Sequence, residues 1–123
     1  MFQYEAKVIR VVDGDTLWLK VDLGFKIWTE INCRLAGLNA PDTVEWKDGG
    51  LNDPARNYIN QAIPQGATCV VDIDRTEKWG RWLGTIRYLK DCVDRNEIIR
   101  SGRNLNEELV KFGFAKAYHG EKK

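Results

Sequence analysis

The sequence predicts a mainly β fold with helices (class α+β), in which five short strands close into one small barrel. Apolar residues alternate with polar ones over several segments, which is the two-residue period of half-buried strands. The period changes to that of a helix once in the middle of the chain and once near its end. The 123 residues suffice for one hydrophobic core, and we expect residues 1–123 to form a single domain.

Three strands are predicted in the first third of the chain. They cover residues 4–12, 16–21 and 26–35. Asp13 and Gly14 separate the first two strands, and this dipeptide is a strong signal for a hairpin turn. Gly24 marks the turn between the second strand and the third. The three segments therefore predict an antiparallel meander.

A helix is predicted where apolar side chains recur at helical spacing between Leu51 and Ile63. Asp53 can accept hydrogen bonds from the first turn, and Pro54 suits the first helical position. Pro64 ends the segment. The preceding residues, 37–50, have the composition of a loop.

The second half of the chain predicts two more strands and a second helix. The strands cover residues 69–73 and 81–89. The polar segment 90–103 is predicted to be a protruding loop or hairpin tip without an assigned role. Asn106 is predicted to cap a helix over residues 107–112 that ends at Gly113. The apolar tail, residues 114–118, is expected to pack back on the body.

This order of elements favours a closed barrel over a flat sheet. Strands of this length cannot cover both faces of an open sheet in so short a chain, and closure removes exposed edges. A five-stranded Greek-key barrel of the OB type, with two to three packed helices, fits the element count. An SH3-like barrel is the alternative, but it leaves no room for the central helix.

Composition restricts the functional classes. The net charge is +1, so a basic surface for nucleic acid would be local, and residues 75–103 offer eight Lys or Arg against four Asp or Glu. A solvated mixed-charge hairpin would give the same count. The three cysteines have no CxxC spacing and there is one histidine, which argues against a structural zinc site. Cys33 and Cys69 fit strand patterns as small core residues.

The sequence gives weaker indications of location. No apolar stretch is long enough to cross a membrane, so no membrane partner is expected. The odd number of cysteines favours a reducing, cytoplasmic location. A secreted mature chain would look the same, because its signal peptide would already have been removed.

Asp15 is the first candidate functional residue, because it lies in the predicted core register of its strand with Leu17, Leu19 and Val21. A carboxylate on that face is costly to bury unless it sits at the barrel end with a partner. A metal ion is one such partner. The alternative is that Asp13 and Asp15 only shape the Asp-Gly turn, and the pattern alone favours this plainer role.

Two further segments carry candidate polar groups. The run RLAGLNAPD at residues 34–42 offers a guanidinium, an amide oxygen, backbone carbonyls and a carboxylate, and such oxygens suit Ca²⁺ or Mg²⁺. The run KWGR at residues 78–81 places an arginine beside an aromatic ring, as phosphate and base contacts require. Taken singly, each is also compatible with an ordinary polar loop.

Four segments together resemble the staphylococcal nuclease, or thermonuclease-like, family over nearly the whole chain. They are VVDGDT at residues 11–16, RLAGLNAPD at 34–42, EKWGRWLGTI at 77–86 and NLNEELVKFGFAKAY at 104–118. One such motif matches easily by chance, whereas four in family order are specific. The resemblance implies an OB-type barrel with helices that cleaves phosphodiester bonds of DNA and RNA with Ca²⁺.

The resemblance also implies roles for individual residues. The implied metal ligands are Asp15, Asn39 and the backbone carbonyl of Ala40; the implied catalytic residues are Arg34, Asp42 and Arg81; and Lys78 and Trp79 would contact the nucleotide. The two arginines would bind phosphate, and the carboxylate of Asp42 would be the general base.

Two of these residues depart from the family pattern. Asn39 stands where the family has a second metal-binding aspartate, so the site loses a negative charge and Ca²⁺ affinity should fall, with Mg²⁺ as the alternative ion. Asp42 stands where the family has a glutamate, and its side chain is one methylene shorter. A base must reach its water at about 2.6–3.2 Å, and a misplacement of about 1 Å can cost about a hundredfold in rate. Glu45 could substitute.

The sequence therefore predicts a Ca²⁺-dependent nuclease of DNA or RNA that acts as a monomer. Single strands should be preferred, because Trp79 could stack on an unpaired base. The changes at Asn39 and Asp42 are expected to reduce activity. The main alternative is a weak or inactive OB-fold module that binds nucleic acid without cutting it, in EDTA and with strong salt dependence. A protein-interaction domain is disfavoured, because it would have little reason to keep three separated charged site residues.

Overall fold

Eight strands and three helices make up the part of the chain that the computed structural model describes, which is residues 2–40, 53–76 and 80–118. The long strands are β1 (Phe2–Asp13), β2 (Thr16–Asp22), β3 (Trp28–Leu35), β5 (Thr68–Thr76) and β6 (Trp82–Tyr88). The short strands are β4 (Leu38–Asn39), β7 (Arg103–Asn104) and β8 (Lys116–Ala117). The helices are α1 (Pro54–Ala62), α2 (Arg95–Ser101) and α3 (Leu105–Lys111).

The five long strands close into a barrel, as the sequence predicts. Their order is β3-β2-β1-β5-β6, with antiparallel neighbours throughout. A parallel pairing of β3 with β6 closes the barrel and sets Arg34 opposite Leu83. A meander followed by a returning hairpin, with helices packed outside, is the OB-type architecture. Outside the barrel, β7 pairs with β6 and β4 pairs with β8.

The barrel interior is filled by the alternating apolar residues that predict its strands. Leu17 and Leu19 of β2 are fully buried, and each contributes about 1.5–3 kcal/mol through its burial. Cys33 and Cys69 are also fully buried, which confirms them as core residues. Burial raises the pKa of each of these thiols to about 12, because the interior disfavours the thiolate.

Helix α1 begins at the residues that the sequence marks, and it packs on the β1–β2 turn. The Asp53 side chain accepts from the backbone nitrogen of Ala55 at 3.1 Å, and Pro54 is the first helical residue. Gly14 permits the contact with the turn: a Cβ there would lie 2.5 Å from the Cβ of Ala55 and 2.9 Å from that of Ala40. The helix is therefore seated directly against the turn that carries Asp15.

The prediction of a protruding loop over residues 90–103 is wrong, because α2 lies within it. The Asp94 side chain caps this helix by accepting from the backbone nitrogens of Asn96 at 2.9 Å and Glu97 at 3.3 Å. Ile98 is fully buried on the side that faces β5 and β6. One buried residue in two turns gives too little periodicity to detect, so a well-capped short helix looks like a polar loop.

The predicted cap of the last helix is also wrong. Asn104, not Asn106, is the N-cap of α3, with its side chain accepting from the backbone nitrogen of Glu107 at 3.0 Å. Asn106 lies inside the helix and is buried. Gly113 ends the helix as predicted, with φ of 83°.

Helix α3 is fixed to the barrel by a buried carboxylate. Glu108 accepts from the hydroxyls of Tyr58 at 2.9 Å and Tyr88 at 2.6 Å, and from the Nε of Arg103. Burial and the bond to Glu108 raise the pKa of Tyr88. This cluster ties α1, β6 and α3 together.

The apolar tail packs back on the body, as predicted. Ala115 is buried, and β8 pairs with β4 so that Leu38 is opposite Ala117. The predicted loop at residues 37–50 contains β4, and the rest of it from residue 41 lies outside the described residues. Among the described residues, no helix is long and apolar enough to cross a membrane.

Candidate functional site

The barrel itself brings Asp15 and Arg34 together. Asp15 lies in the two-residue turn between β1 and β2, and Arg34 lies one residue before the end of β3. Strand pairing sets Thr16 opposite Arg34, and the backbone nitrogen of Leu35 donates to the carbonyl of Asp15 at 2.8 Å. The two candidates are therefore held at one end of the barrel by main-chain bonds.

The Arg34 guanidinium bridges two of the predicted metal ligands. Its Nη1 lies 3.5 Å from Oδ2 of Asp15, and its Nη2 donates to Oδ1 of Asn39. Nη1 also donates to the carbonyl of Leu38 at 3.3 Å. The side chains of Arg34 and Asp15 are only 14% and 15% exposed, so this ion pair is poorly screened by solvent.

Asp15 is further fixed by two neutral donors. Oδ1 accepts from the hydroxyl of Thr16 at 3.0 Å, and Oδ2 accepts from the backbone nitrogen of Ala40 at 3.1 Å. A half-buried carboxylate in the core register needs such partners. The structure supplies them as a guanidinium, a hydroxyl and a backbone N–H, so the aspartate does more than shape the turn.

The β3–β4 turn that carries these contacts is held by Asn106, which the sequence predicts to be a helix cap. The Nδ2 of Asn106 donates to the carbonyls of Ala36 at 2.9 Å and Gly84 at 3.0 Å, and its Oδ1 accepts from the backbone nitrogen of Ile86 at 3.0 Å. The nitrogen of Ala36 donates to the Gly84 carbonyl at 2.9 Å. Asn106 therefore positions the turn between Arg34 and β4.

A small cleft adjoins the Arg34 site. It has a volume of about 240 Å³, and Arg75, Asp74 and Tyr118 are among the residues that line it. The Arg34 Cζ lies 5.9 Å from the centre of the Tyr118 ring, within the range of a cation–π contact. Sequence reasoning did not select Arg75 or Tyr118. Arg75 is the first residue of the basic stretch 75–103, and Tyr118 is the last residue of the family motif at 104–118. Both therefore belong to segments that the sequence already marks.

The donors at this site fit a hard cation by their chemistry. Asp15 offers a carboxylate, Asn39 an amide oxygen and Ala40 a backbone carbonyl, which are the oxygen donors that Ca²⁺ and Mg²⁺ take. The set carries one negative charge, and oxygens of both side chains are engaged by Arg34. Within residues 2–40, 53–76 and 80–118, no group of three or more His, Cys, Asp or Glu converges. The donor types fit the ion, and the low charge predicts weak binding.

Of the other predicted site residues, the structure describes Arg81 alone. Arg81 is half-buried immediately before β6, and Trp82 after it pairs with Cys33, so Arg81 lies near the end of β3 that carries Arg34. The remaining candidates, Asp42, Lys78 and Trp79, together with the possible substitute Glu45, lie outside the described residues. Their roles stay predictions.

Fold and site together define an OB-type barrel with a paired arginine and carboxylate at one end. A family model described as staphylococcal nuclease homologue matches residues 32–123, about three-quarters of the chain. The chain therefore belongs to the staphylococcal nuclease family, and this membership supports a nuclease-type function. The match begins after the turn that carries Asp15.

The chain is similar to three relatives over most of its length. It is similar to endonuclease YhcR of Bacillus subtilis, with 29% identity over 94% of this chain and 9% of the relative. It is also similar to an uncharacterized protein of Methanocaldococcus jannaschii, with 27% identity over 94% of this chain and 59% of the relative. Protein ParB of Escherichia coli is 28% identical over 96% of this chain and 60% of the relative. The chain thus spans at most 60% of the length of these three relatives.

Proposed function

We propose that this protein is a metal-dependent nuclease that hydrolyses phosphodiester bonds in DNA or RNA and prefers single strands. The observation that carries the proposal is the bridge from Arg34 to Asp15 and Asn39 at the barrel end of a staphylococcal nuclease family member. The endonuclease name of one relative supports the same class of reaction.

Phosphate binding is the first task of the site. A planar guanidinium can donate two parallel hydrogen bonds to a phosphate, which an ammonium group cannot do. Arg34 is already oriented by the Leu38 carbonyl and by Asp15, so it is preorganised to receive an anion at the cleft. Arg81 is the proposed second phosphate ligand, and Lys78 and Trp79 are proposed to contact the nucleotide.

Hydrolysis would proceed by in-line attack of water on the phosphorus: a new P–O bond forms as the ester P–O bond on the opposite side breaks, and the displaced sugar oxygen leaves as a hydroxyl with a proton from solvent. Asp42 is the proposed carboxylate that orients this water and takes its proton. As negative charge builds on the equatorial oxygens, Arg34 and the proposed second arginine, Arg81, would stabilise it by donating hydrogen bonds to them. Asp15, Asn39 and the Ala40 carbonyl would hold the cation, Ca²⁺ or Mg²⁺, which when bound neutralises phosphate charge.

The first test measures cleavage of heat-denatured DNA in millimolar Ca²⁺. We expect cleavage that EDTA stops and that Arg34→Ala abolishes. Arg34→Lys should retain the charge but lose about a hundredfold or more in turnover, as expected for loss of a preorganised donor. Arg10→Ala, at an exposed arginine of β1, is the matched control and should cleave like the wild type. Full turnover by Arg34→Lys would contradict the bidentate role.

The preference for single strands has its own test. A hairpin stem and its isolated single strand should be compared at equal salt, because stacking on Trp79 requires an unpaired base. Equal cleavage rates on the two substrates would contradict the preference without contradicting the nuclease.

A second candidate function is nucleic-acid binding without cleavage. It is favoured by one observation: Asp15 already has a cationic partner in Arg34, so the site is neutralised without a metal ion. A binder would retain single strands in EDTA and lose affinity steeply as salt rises. Binding of that kind, with no cleavage in Ca²⁺ or Mg²⁺, would replace the nuclease by this function.

A further inference from the structure

At the barrel rim where Phe2 begins β1 and Trp82 begins β6, an apolar groove of about 410 Å³ opens. We call it the barrel-end groove, and its lining includes Phe2, Tyr4, Ile31, Ile73, Asp74 and Trp82. These residues belong to β1, β3, β5 and β6. The volume lies within the range of about 300–1,000 Å³ that small-ligand sites occupy.

Large rings at the rim of this groove are open to solvent. Phe2 is 66% exposed and Trp82 is 40% exposed, although both stand in the inward register of their strands. An exposed apolar concavity with aromatic walls is unusual on a protein surface and marks binding sites. Among the described lining residues, Asp74 is the charged one, and its carboxylate can accept a hydrogen bond.

The groove borders the cleft beside Arg34. Asp74 lines both, and so forms a shared wall. Across the parallel pairing of β3 and β6, Arg34 is opposite Leu83 while Cys33 is opposite Trp82. Paired strands lie about 4.7–4.9 Å apart, so the backbone that carries the Trp82 ring is an immediate neighbour of the backbone that carries Arg34.

We propose that the barrel-end groove binds an unpaired base of the same strand whose phosphate lies at Arg34. This inference rests on the proposed function, because it needs a nucleic acid at the cleft. Aromatic rings give a base a stacking surface whatever its sequence, and the groove borders the cleft in which the phosphate is proposed to lie. An apolar peptide would fill the groove as well, but it would gain nothing from the neighbouring arginines.

The experiment separates base contacts from phosphate contacts. Binding of a single-stranded octamer of deoxycytidine is compared with that of an abasic octamer with the same phosphates, by fluorescence anisotropy in EDTA at low salt. The groove variants are Trp82→Ala and Phe2→Ala, and both residues are exposed enough for either variant to fold. Phe112→Ala is the matched control, since this ring is 49% exposed but does not line the groove.

We expect the wild type to bind the deoxycytidine octamer more tightly than the abasic octamer by about 5- to 150-fold for a stacked base. Each groove variant should reduce this ratio and leave binding of the abasic octamer unchanged, while Phe112→Ala should change neither. Trp79 could also contribute to the wild-type ratio. The test of the groove is therefore the change in this ratio in Trp82→Ala and Phe2→Ala.

Three outcomes would overturn the inference. Variants that keep the full ratio, or that weaken both octamers equally, would show that the groove takes no base, and the proposed function would stand if Arg34→Ala still weakened both. A change in sedimentation of Trp82→Ala, with unchanged binding, would make a second copy of the chain the occupant. Failure of the wild type to bind or cleave any strand would remove the proposed function and the inference with it.

Discussion

Replacing Asn106 by alanine should destabilise the protein far more than replacing the cap of the same helix. Asn106 makes three hydrogen bonds with backbone groups, a part-buried one with Ala36 and buried ones with Gly84 and Ile86, whereas Asn104 makes one exposed bond at the N-cap. The two asparagines are two residues apart on one helix. They therefore form a matched pair in which only the structural environment differs.

The magnitude follows from what each substitution leaves unpaired. In Asn106→Ala the Gly84 carbonyl still accepts from the nitrogen of Ala36, so two groups lose their partner: the Ala36 carbonyl and the Ile86 nitrogen. An orphaned buried polar group costs about 1–3 kcal/mol. The free energy of unfolding should thus fall by about 2–6 kcal/mol. Loss of the cap in Asn104→Ala should cost about 0.5–2 kcal/mol.

Equilibrium urea unfolding near 15 °C, where stability is close to its maximum, would measure both variants. Tryptophan fluorescence and far-ultraviolet circular dichroism should report the same transition if unfolding is two-state. Equal losses in the two variants, or a larger loss in Asn104→Ala, would refute the reasoning. That result would also mean that the β3–β4 turn does not depend on Asn106.

Three other perturbations have expected outcomes. Gly14→Ala should lower the free energy of unfolding by about 1–3 kcal/mol in urea, because its Cβ would overlap the first turn of α1; no change would mean that α1 is not seated there. Glu108→Gln should lower it by about 1–3 kcal/mol and disturb the hydroxyl of Tyr88, and retention of full stability would contradict the buried network. Alkaline titration should reduce stability from about pH 9 towards pH 12, because the neutral thiols of Cys33 and Cys69 have a pKa of about 12 when folded and about 9 when unfolded. The folded state then holds more protons over that range, and Cys33→Ala should flatten the slope of stability against pH.

The barrel could be predicted from the sequence because its signals are periodic and local. Strand alternation gave the five strands, and Asp53 followed by Pro54 fixed the start of α1. The register of Asp15 indicated only that its carboxylate needs a place at the barrel end and a partner, and the pattern alone favoured a role in the turn. These features depend on neighbours within one element, which is what periodicity and capping describe.

The sequence contains capping signals for α2, which was predicted as a loop, and for α3, whose cap was predicted at the wrong residue. Asp94 is followed three residues later by Glu97, and Asn104 by Glu107, which is the spacing of a capping box. Asn106 is followed at that distance by an apolar residue, so it could have been rejected as a cap. Its actual partners lie about 20 and 70 residues away, and no local pattern encodes such contacts.

The bridge made by Arg34 could not be predicted from the sequence, because it depends on the path of the chain between β3 and β4. This bridge changes the expected effect of having asparagine rather than aspartate at position 39. An aspartate there would add a negative charge that attracts a cation and repels phosphate, whereas the amide leaves the pair of Arg34 and Asp15 close to neutral. The presence of asparagine rather than aspartate at this position is therefore expected to weaken the proposed metal site and to ease direct phosphate contact. Asn39→Asp should tighten Ca²⁺ binding, measured by calorimetry, and weaken single-strand binding in EDTA, because one added charge acts on both ligands with opposite sign.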